Sequence, residues 1–330
     1  MLVVGMAAAV LAGCGSGGEA ETTASLPLEP PREIDVTLDG YSGPGTVGIL
    51  MAERRGYFDD LGLDVWVRTP ASRLSPVPYV VGREVALSVS HQPQVVLAKE
   101  KGAPITAFGS LVSKPTAAMI WPRGSGIGGV SDLKGKTIGF AGLPFEREFL
   151  VRILEQEGLA LSDVKIITDD YYLVSTVVSG QVDAIFGAAN VEGAELKALG
   201  FDPVITPVSS FGIPPYDELV LITRSDRLAK EPDAIRAFMA AVARGTAAAI
   251  EDPEAAASVI ERSIGADADR SRKVNEAQVE ATLPLLSRDG YLDPDQAKGL
   301  VDWMQEEGMA QQAPSVDELF TDEYLAQPDS

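Results

Sequence analysis

The sequence predicts a two-lobed α/β protein, with mostly parallel sheets covered by helices and a helical segment at the C-terminus. Three observations predict it. Between Glu33 and Asp226, over about 190 residues, short apolar runs of strand character alternate with stretches of helical spacing. After Asp226 only helical spacing remains. The 330 residues, 45% of them apolar, are enough for one large domain or two lobes with ordinary cores.

The first segment stands outside this fold. An apolar run from Met1 to Ala12 leads into Leu11-Ala12-Gly13-Cys14, and Cys14 is the only cysteine of the chain. The run is too short for a stable membrane span and ends in small residues, which reads as a lipoprotein signal over residues 1–13 with Cys14 as the lipidated first residue. No Lys or Arg precedes the run, so a basic segment is expected upstream of Met1. Residues 14–32, rich in Gly, Ser, Thr, Glu and Pro, read as a flexible tether.

The folded body is expected to begin with a strand at Ile34 to Leu38, where apolar and polar residues alternate. A helix follows over Thr46 to Leu61, closed by Gly62; then come strands at Leu63 to Val67 and Val85 to Val89, and a helix at Gln92 to Lys101 closed by Gly102. Strands at Pro104 to Leu111, Ala117 to Trp121 and Lys136 to Phe140 precede a helix at Phe145 to Glu157, stopped by Gly158. The alternation continues with a strand at Val164 to Thr168, a helix at Tyr172 to Ser179, a strand at Val182 to Phe186 and a helix at Val191 to Leu199. Strands at Val204 to Pro207 and Leu219 to Thr223 complete it. Helices are then expected at Pro232 to Ile250, Pro253 to Ser263, Asp269 to Leu286 and Pro294 to Glu307. The expected division is lobe 1 from 33–121 and 219–330, and lobe 2 from 122–218.

Composition excludes several functions. A net charge of −21 argues against nucleic acid, whose phosphates it would repel. Beyond residue 14 no uninterrupted apolar stretch is long enough to cross a membrane. With Cys14 acylated no thiol remains for a disulfide, a metal or catalysis, and a single histidine, His91, leaves little for a catalytic triad or a multi-histidine metal site. The stretch Gly124-Ser125-Gly126-Ile127-Gly128-Gly129 has G-x-G-x-x-G spacing, but a strand and not a long helix follows it, so a loop at a lobe boundary is expected. Neither cofactor nor metal is expected.

The segment Leu38 to Phe58 (LDGYSGPGTVGILMAERRGYF) resembles the first loop and helix of solute-binding proteins related to thiamine-pyrimidine synthase, where L-D-W-[FT]-P-N-x-x-H-x-G precedes a helix ending G-Y-F. Ser90-His91-Gln92-Pro93, Asp132-Leu133-Lys134-Gly135-Lys136, Gly180-Gln181-Val182-Asp183-Ala184, Asn190-Val191-Glu192-Gly193, Gly212 to Leu219 and Asp289-Gly290-Tyr291 continue the resemblance in order. It implies a type II periplasmic-binding fold, two α/β lobes joined by a hinge, serving as the ligand-binding part of an ABC importer with a permease and an ATPase as partners. The chain is expected to be a monomer. The ligand implied is an aminopyrimidine precursor of thiamine; a flavin, or an anion such as an alkanesulfonate, is the alternative. Gly40, Gly43 and Thr46 depart from the family pattern of Trp, Asn and His, which removes one stacking ring and two hydrogen-bonding groups. An enzyme is the lesser reading, because the synthase's cysteine cluster has no counterpart here.

In open α/β sheets ligands sit beyond the C-terminal ends of strands. The candidate ligand-binding residues are accordingly Asp39 and Tyr41 after the first strand, His91 and Gln92 after the strand ending at Val89, and Lys114 between two strands. Phe145 and Glu146 open a helix, Asn190 and Glu192 follow the strand ending at Phe186, and Tyr216 precedes the strand returning to the first lobe. Glu192 suits charge-assisted bonds from a ring amine, and Tyr41 and Tyr216 suit stacking on a heterocycle. An anion would instead need Lys114, Arg147 and backbone N–H groups.

Overall fold

The computed structural model of the chain describes residues 27–40, 42–70, 76–169, 172–264, 272–312 and 314–325. Ten strands form two five-stranded sheets. The strands are β1 Arg32–Thr37, β2 Leu63–Arg68, β3 Leu87–Ser90, β4 Ile105–Val112, β5 Ala117–Pro122, β6 Thr137–Phe140, β7 Lys165–Thr168, β8 Ala184–Ala188, β9 Pro203–Pro207 and β10 Leu219–Arg224. The first sheet has the order β2-β1-β3-β10-β4 and the second β7-β6-β8-β5-β9.

Both sheets are built alike. Three neighbouring strands run parallel, β2-β1-β3 in one and β7-β6-β8 in the other. A single antiparallel strand follows, β10 against β3 and β4, and β5 against β8 and β9. Each antiparallel strand is the one that has just arrived from the other sheet. The chain therefore crosses between sheets twice, at residues 113–116 and 208–218. The two edges of this sheet differ: β2 alternates buried and open residues, whereas β4 at the opposite edge is buried throughout, as is the interior strand β3.

β5 thus pairs within the second sheet, although the sequence reading sets residues 33–121 in lobe 1. Ala117 pairs with Ala188 of β8, and Met119 pairs with Phe186 of β8 and Thr206 of β9. By composition β5 is as apolar as β4, and only the register assigns it to a sheet. The glycine loop at 124–129 leads from the other end of β5, where Pro122 pairs with Pro203, away from the crossings. Trp121 Nε1 donates to Ile127 O (2.9 Å) and fastens that loop.

The helices differ from expectation where glycine and proline intervene. Helix Val47–Arg54 stops early, at Gly56 with φ +73°, and Asp59–Leu61 forms a separate 3-10 turn. The helix expected from Asp269 to Leu286 is Arg272–Thr282 followed by a 3-10 turn at Leu283–Leu285; Pro284 has no N–H to continue it. Short helices at Val77–Val81, Ser225–Lys230 and Val316–Leu319 add to those read from spacing.

One core lies beneath the first sheet, where Phe58 and Phe238 stack at 5.1 Å. A second spans both lobes: Val95 and Ile105 join Phe145, Phe149 and Phe186 of the second lobe and Leu300 and Met304 of helix Pro294–Glu306. Among the described residues no helix is long and apolar enough to cross a membrane.

Candidate functional site

The C-terminal ends of β1, β3, β6 and β8 face one solvent-open cleft of about 750 Å³ between the sheets. The loop after β1 supplies Asp39 and the 43–46 turn, and the loop after β3 supplies His91. Ala141, Leu143, Phe145 and Glu146 follow β6, and Asn190, Val191 and Glu192 follow β8. The crossings form the floor, with Thr116 and Ala117 from the first and Glu218 from the second.

Glu218 is the electrostatic centre of this floor. Its Oε2 accepts from Thr116 N (2.6 Å), Ala117 N (3.3 Å) and Tyr216 Oη (3.2 Å), while His91 Nδ1 lies 3.0 Å from Oε1. Burial would raise the Glu218 pKa, but the bond to His91, its charge and the Thr116 N–H outweigh it and hold the carboxyl below its ordinary value. For His91 burial acts against charge, and the hydrogen bond and charge of Glu218, with Asp39 and Glu146 behind them, raise the imidazole above its ordinary value. Both shifts favour the charged pair, an imidazolium donating to a carboxylate.

The other carboxylates are placed by helix starts. Glu146 Oε2 accepts from Gly142 N and Leu143 N, both at 3.1 Å, closing the first turn of helix Pro144–Gln156. Glu192 opens helix Glu192–Ala198; its Oε2 accepts from Ala188 N (2.8 Å), and its Oε1 has no partner among the described residues. Gly187 lets Glu192 lie close, since a Cβ there would meet Oε2 at 3.1 Å. Asn190 Nδ2 donates to Thr282 Oγ1 (2.8 Å), and its Oδ1 is buried and unpartnered. Phe145 lines the wall with its ring centroid 5.0 Å from that of His91.

Asp39, His91, Phe145, Glu146, Asn190 and Glu192 are therefore brought together on the cleft wall. Tyr216, Gln92 and Lys114 are elsewhere. Tyr216 is fully buried, edge-on to Phe149 at 5.9 Å, and serves Glu218 through its hydroxyl, so it packs at the hinge and offers no stacking face to the cleft. Gln92 is fully buried and gives both ends of its amide to Asp217. Lys114 is exposed off the wall, and so is Arg147, which pairs with Glu148. Tyr41 and Cys14 lie outside the described residues. Sequence reasoning passed over Glu218, although strand alternation offered the signal: Tyr216 and Glu218 share one face before β10, and Asp217 takes the other.

No lysine or arginine is found among the described residues lining the cleft, which carries four carboxylates and one histidine. Such a wall accepts hydrogen bonds from amines and protonated ring nitrogens, and it repels anions. Among the described residues no group of three or more His, Cys, Asp or Glu is placed to hold a metal ion.

Known proteins share this architecture or sequence, among them the following three. The formylaminopyrimidine-binding protein of Halalkalibacterium halodurans is 29% identical over 241 residues, 73% of each chain. The 4-amino-5-hydroxymethyl-2-methylpyrimidine phosphate synthase of Schizosaccharomyces pombe is 26% identical over 220 residues, 64% of this chain and 63% of that one. The alkanesulfonate-binding protein SsuA of Xanthomonas axonopodis pv. citri, solved with MOPS, superposes with a TM-score of 0.69 at 13% identity, covering 89% of this chain and 99% of that one, a likeness of fold. Residues 44–256, which hold both crossings and the cleft wall from Pro44 to Leu219, match the NMT1/THI5-like family, and the chain belongs to it.

Proposed function

We propose that this chain is the extracytoplasmic binding component of an ABC importer, taking a small amine-bearing heterocycle of the aminopyrimidine type into the cleft and delivering it to a permease. The observation that carries the reading is the cleft wall itself: Asp39, Glu146, Glu192 and Glu218, with no lysine or arginine among the described lining residues. Glu192 Oε1 is the acceptor best placed for a ring amine, and each charge-assisted bond of that kind is worth about 1.5–3 kcal/mol. Phe145, 1% exposed, adds only an apolar edge to the lining. The similarity to a formylaminopyrimidine-binding protein supports the same ligand class. A sulfonate is disfavoured because Lys114 and Arg147, the cations that it would need, stand off the wall. Attachment to the outer face of the membrane through a lipid on Cys14 belongs to the same proposal.

Binding should raise the melting temperature by mass action. The test is a thermal-shift series on the purified protein with aminopyrimidines, thiamine, riboflavin and alkanesulfonates. A shift with an aminopyrimidine alone is expected, and a shift with a sulfonate alone would reject the reading. The similarity to a pyrimidine phosphate synthase favours a second reading, an enzyme that forms such a pyrimidine, which expressing cells that make no more aminopyrimidine than control cells would exclude.

A further inference from the structure

Glu218 is where the two crossings and the first lobe meet, through Thr116 N and Ala117 N on one side, Tyr216 Oη on another and His91 Nδ1 on the third. An ionised carboxylate can only accept, so Nδ1 carries the proton of the His91 bond. The distal nitrogen is left to the cleft: His91 lines it, and Nε2 bonds to no described residue. The ring is also steadied from the side by Phe145.

We propose, building on the heterocycle reading above, that Glu218 is a positioning residue and His91 a specificity-determining one: Glu218 pins Nδ1 so that Nε2–H meets a hydrogen-bond acceptor on the ligand. Asp39, Glu146 and Glu192 then read the donor side of the ligand, and His91 reads its acceptor side. While the ring is charged, a ligand that offers amines alone leaves Nε2–H unmet, which weakens binding.

The charge state of the ring sets the direction of that bond. The titratable groups facing His91 are Glu218 from the second crossing, Asp39 from the loop after β1 and Glu146 from helix Pro144–Gln156; burial opposes the proton and these three overcome it. Below the resulting pKa both ring nitrogens donate. Above it Nδ1 keeps its proton for Glu218, and Nε2 turns acceptor. The demand that the cleft makes on its ligand therefore inverts with pH at a single residue.

The experiment uses two probes, 4-amino-5-methoxymethyl-2-methylpyrimidine and 4-amino-2-methyl-5-propylpyrimidine, which differ by one ether oxygen, a group that only accepts. Calorimetry is run below and above the pKa of His91, which NMR of the chain's single histidine reports without overlap. The wild type is expected to prefer the ether probe by about tenfold below that pKa, with the preference falling as pH rises through it. Glu218→Gln should lower the NMR-determined pKa and move the loss of preference to lower pH. His91→Asn keeps a donor at the place of Nδ1 and removes Nε2, and it should bind both probes within about threefold of each other. A preference that is pH-independent in the wild type, or intact in His91→Asn, would overturn the recognition role while leaving the ligand class standing. Failure of both probes to bind the wild type would overturn the ligand class and the recognition role together.

Discussion

Asn190 Nδ2 donates to Thr282 Oγ1 at 2.8 Å, and this bond ties the turn that carries Glu192 into the cleft to the C-terminal helix Arg272–Thr282. Thr282 Oγ1 in turn donates to Gln278 O (2.7 Å), and Gln278 Nε2 donates to Val191 O (3.2 Å) and Glu195 Oε2 (3.4 Å). Asn275, Gln278 and Thr282 are at most 2% exposed although polar, and their spacing of three and four residues puts them on one helix face. The C-terminal segment thus grips the second lobe through a polar seam.

Thr282→Val should open this seam. It removes the acceptor of Asn190 Nδ2, in a side chain whose Oδ1 is already unpartnered, at a cost of about 1–3 kcal/mol. Chemical denaturation should show that loss, and stopped-flow measurements should show faster release of ligand. Unchanged stability and release would mean that the seam holds nothing.

Asp217 makes stability depend on pH. Burial raises its pKa from 3.8 to about 6, against the bonds from Ser110 (2.6 Å) and Gln296 (3.4 Å) that favour the charged form. The folded state therefore binds the proton more tightly than the unfolded chain. The group's contribution is most favourable below about pH 4 and is lost as pH rises towards about 6, by at most about 3 kcal/mol. Asp217→Asn should show a stability difference from the wild type that moves in its favour between those values. A difference constant with pH in urea denaturation would contradict this.

Glu192→Gln keeps an acceptor for the Ala188 amide and removes the charge. Its melting temperature should stay near that of the wild type, while its affinity for an amine-bearing pyrimidine should fall by about tenfold or more. Calorimetry that finds equal affinities would take Glu192 out of the site.

Gly245→Ala should be destabilising by about 1–3 kcal/mol or more. Helix Pro232–Glu251 crosses helix Val47–Arg54 at this residue, and a Cβ would lie 2.7 Å from Ala52 N and closer still to Gly48 O, backbone that has nowhere to move. Because the second helix continues from the 43–46 turn on the cleft wall, the variant should also weaken binding. Wild-type stability in thermal denaturation would contradict so close a crossing.

The strands and most helices were legible because each is a local pattern: alternation in β1, apolar runs in β4 and β8, glycine stops at Gly102 and Gly158. The sheet to which β5 belongs was not, since Ala117↔Ala188 is a contact across 71 residues of chain that no local pattern encodes. At the cleft, positions after strand ends were readable from chain order, which places Asp39, His91 and Glu192 on the wall. Which side of the hinge segment faces inward depends on parity. The Tyr216 ring suits stacking on a heterocycle, yet it packs on Phe149, and the neighbouring Glu218 holds the floor.

The most direct test of the central claim, that the cleft selects a cationic or amine-bearing ligand, is calorimetric titration of the purified protein with 4-amino-5-hydroxymethyl-2-methylpyrimidine and with ethanesulfonate in parallel. Binding of the pyrimidine at about micromolar affinity or tighter, with no heat from the sulfonate, is the predicted result. Binding of the sulfonate without the pyrimidine would contradict it.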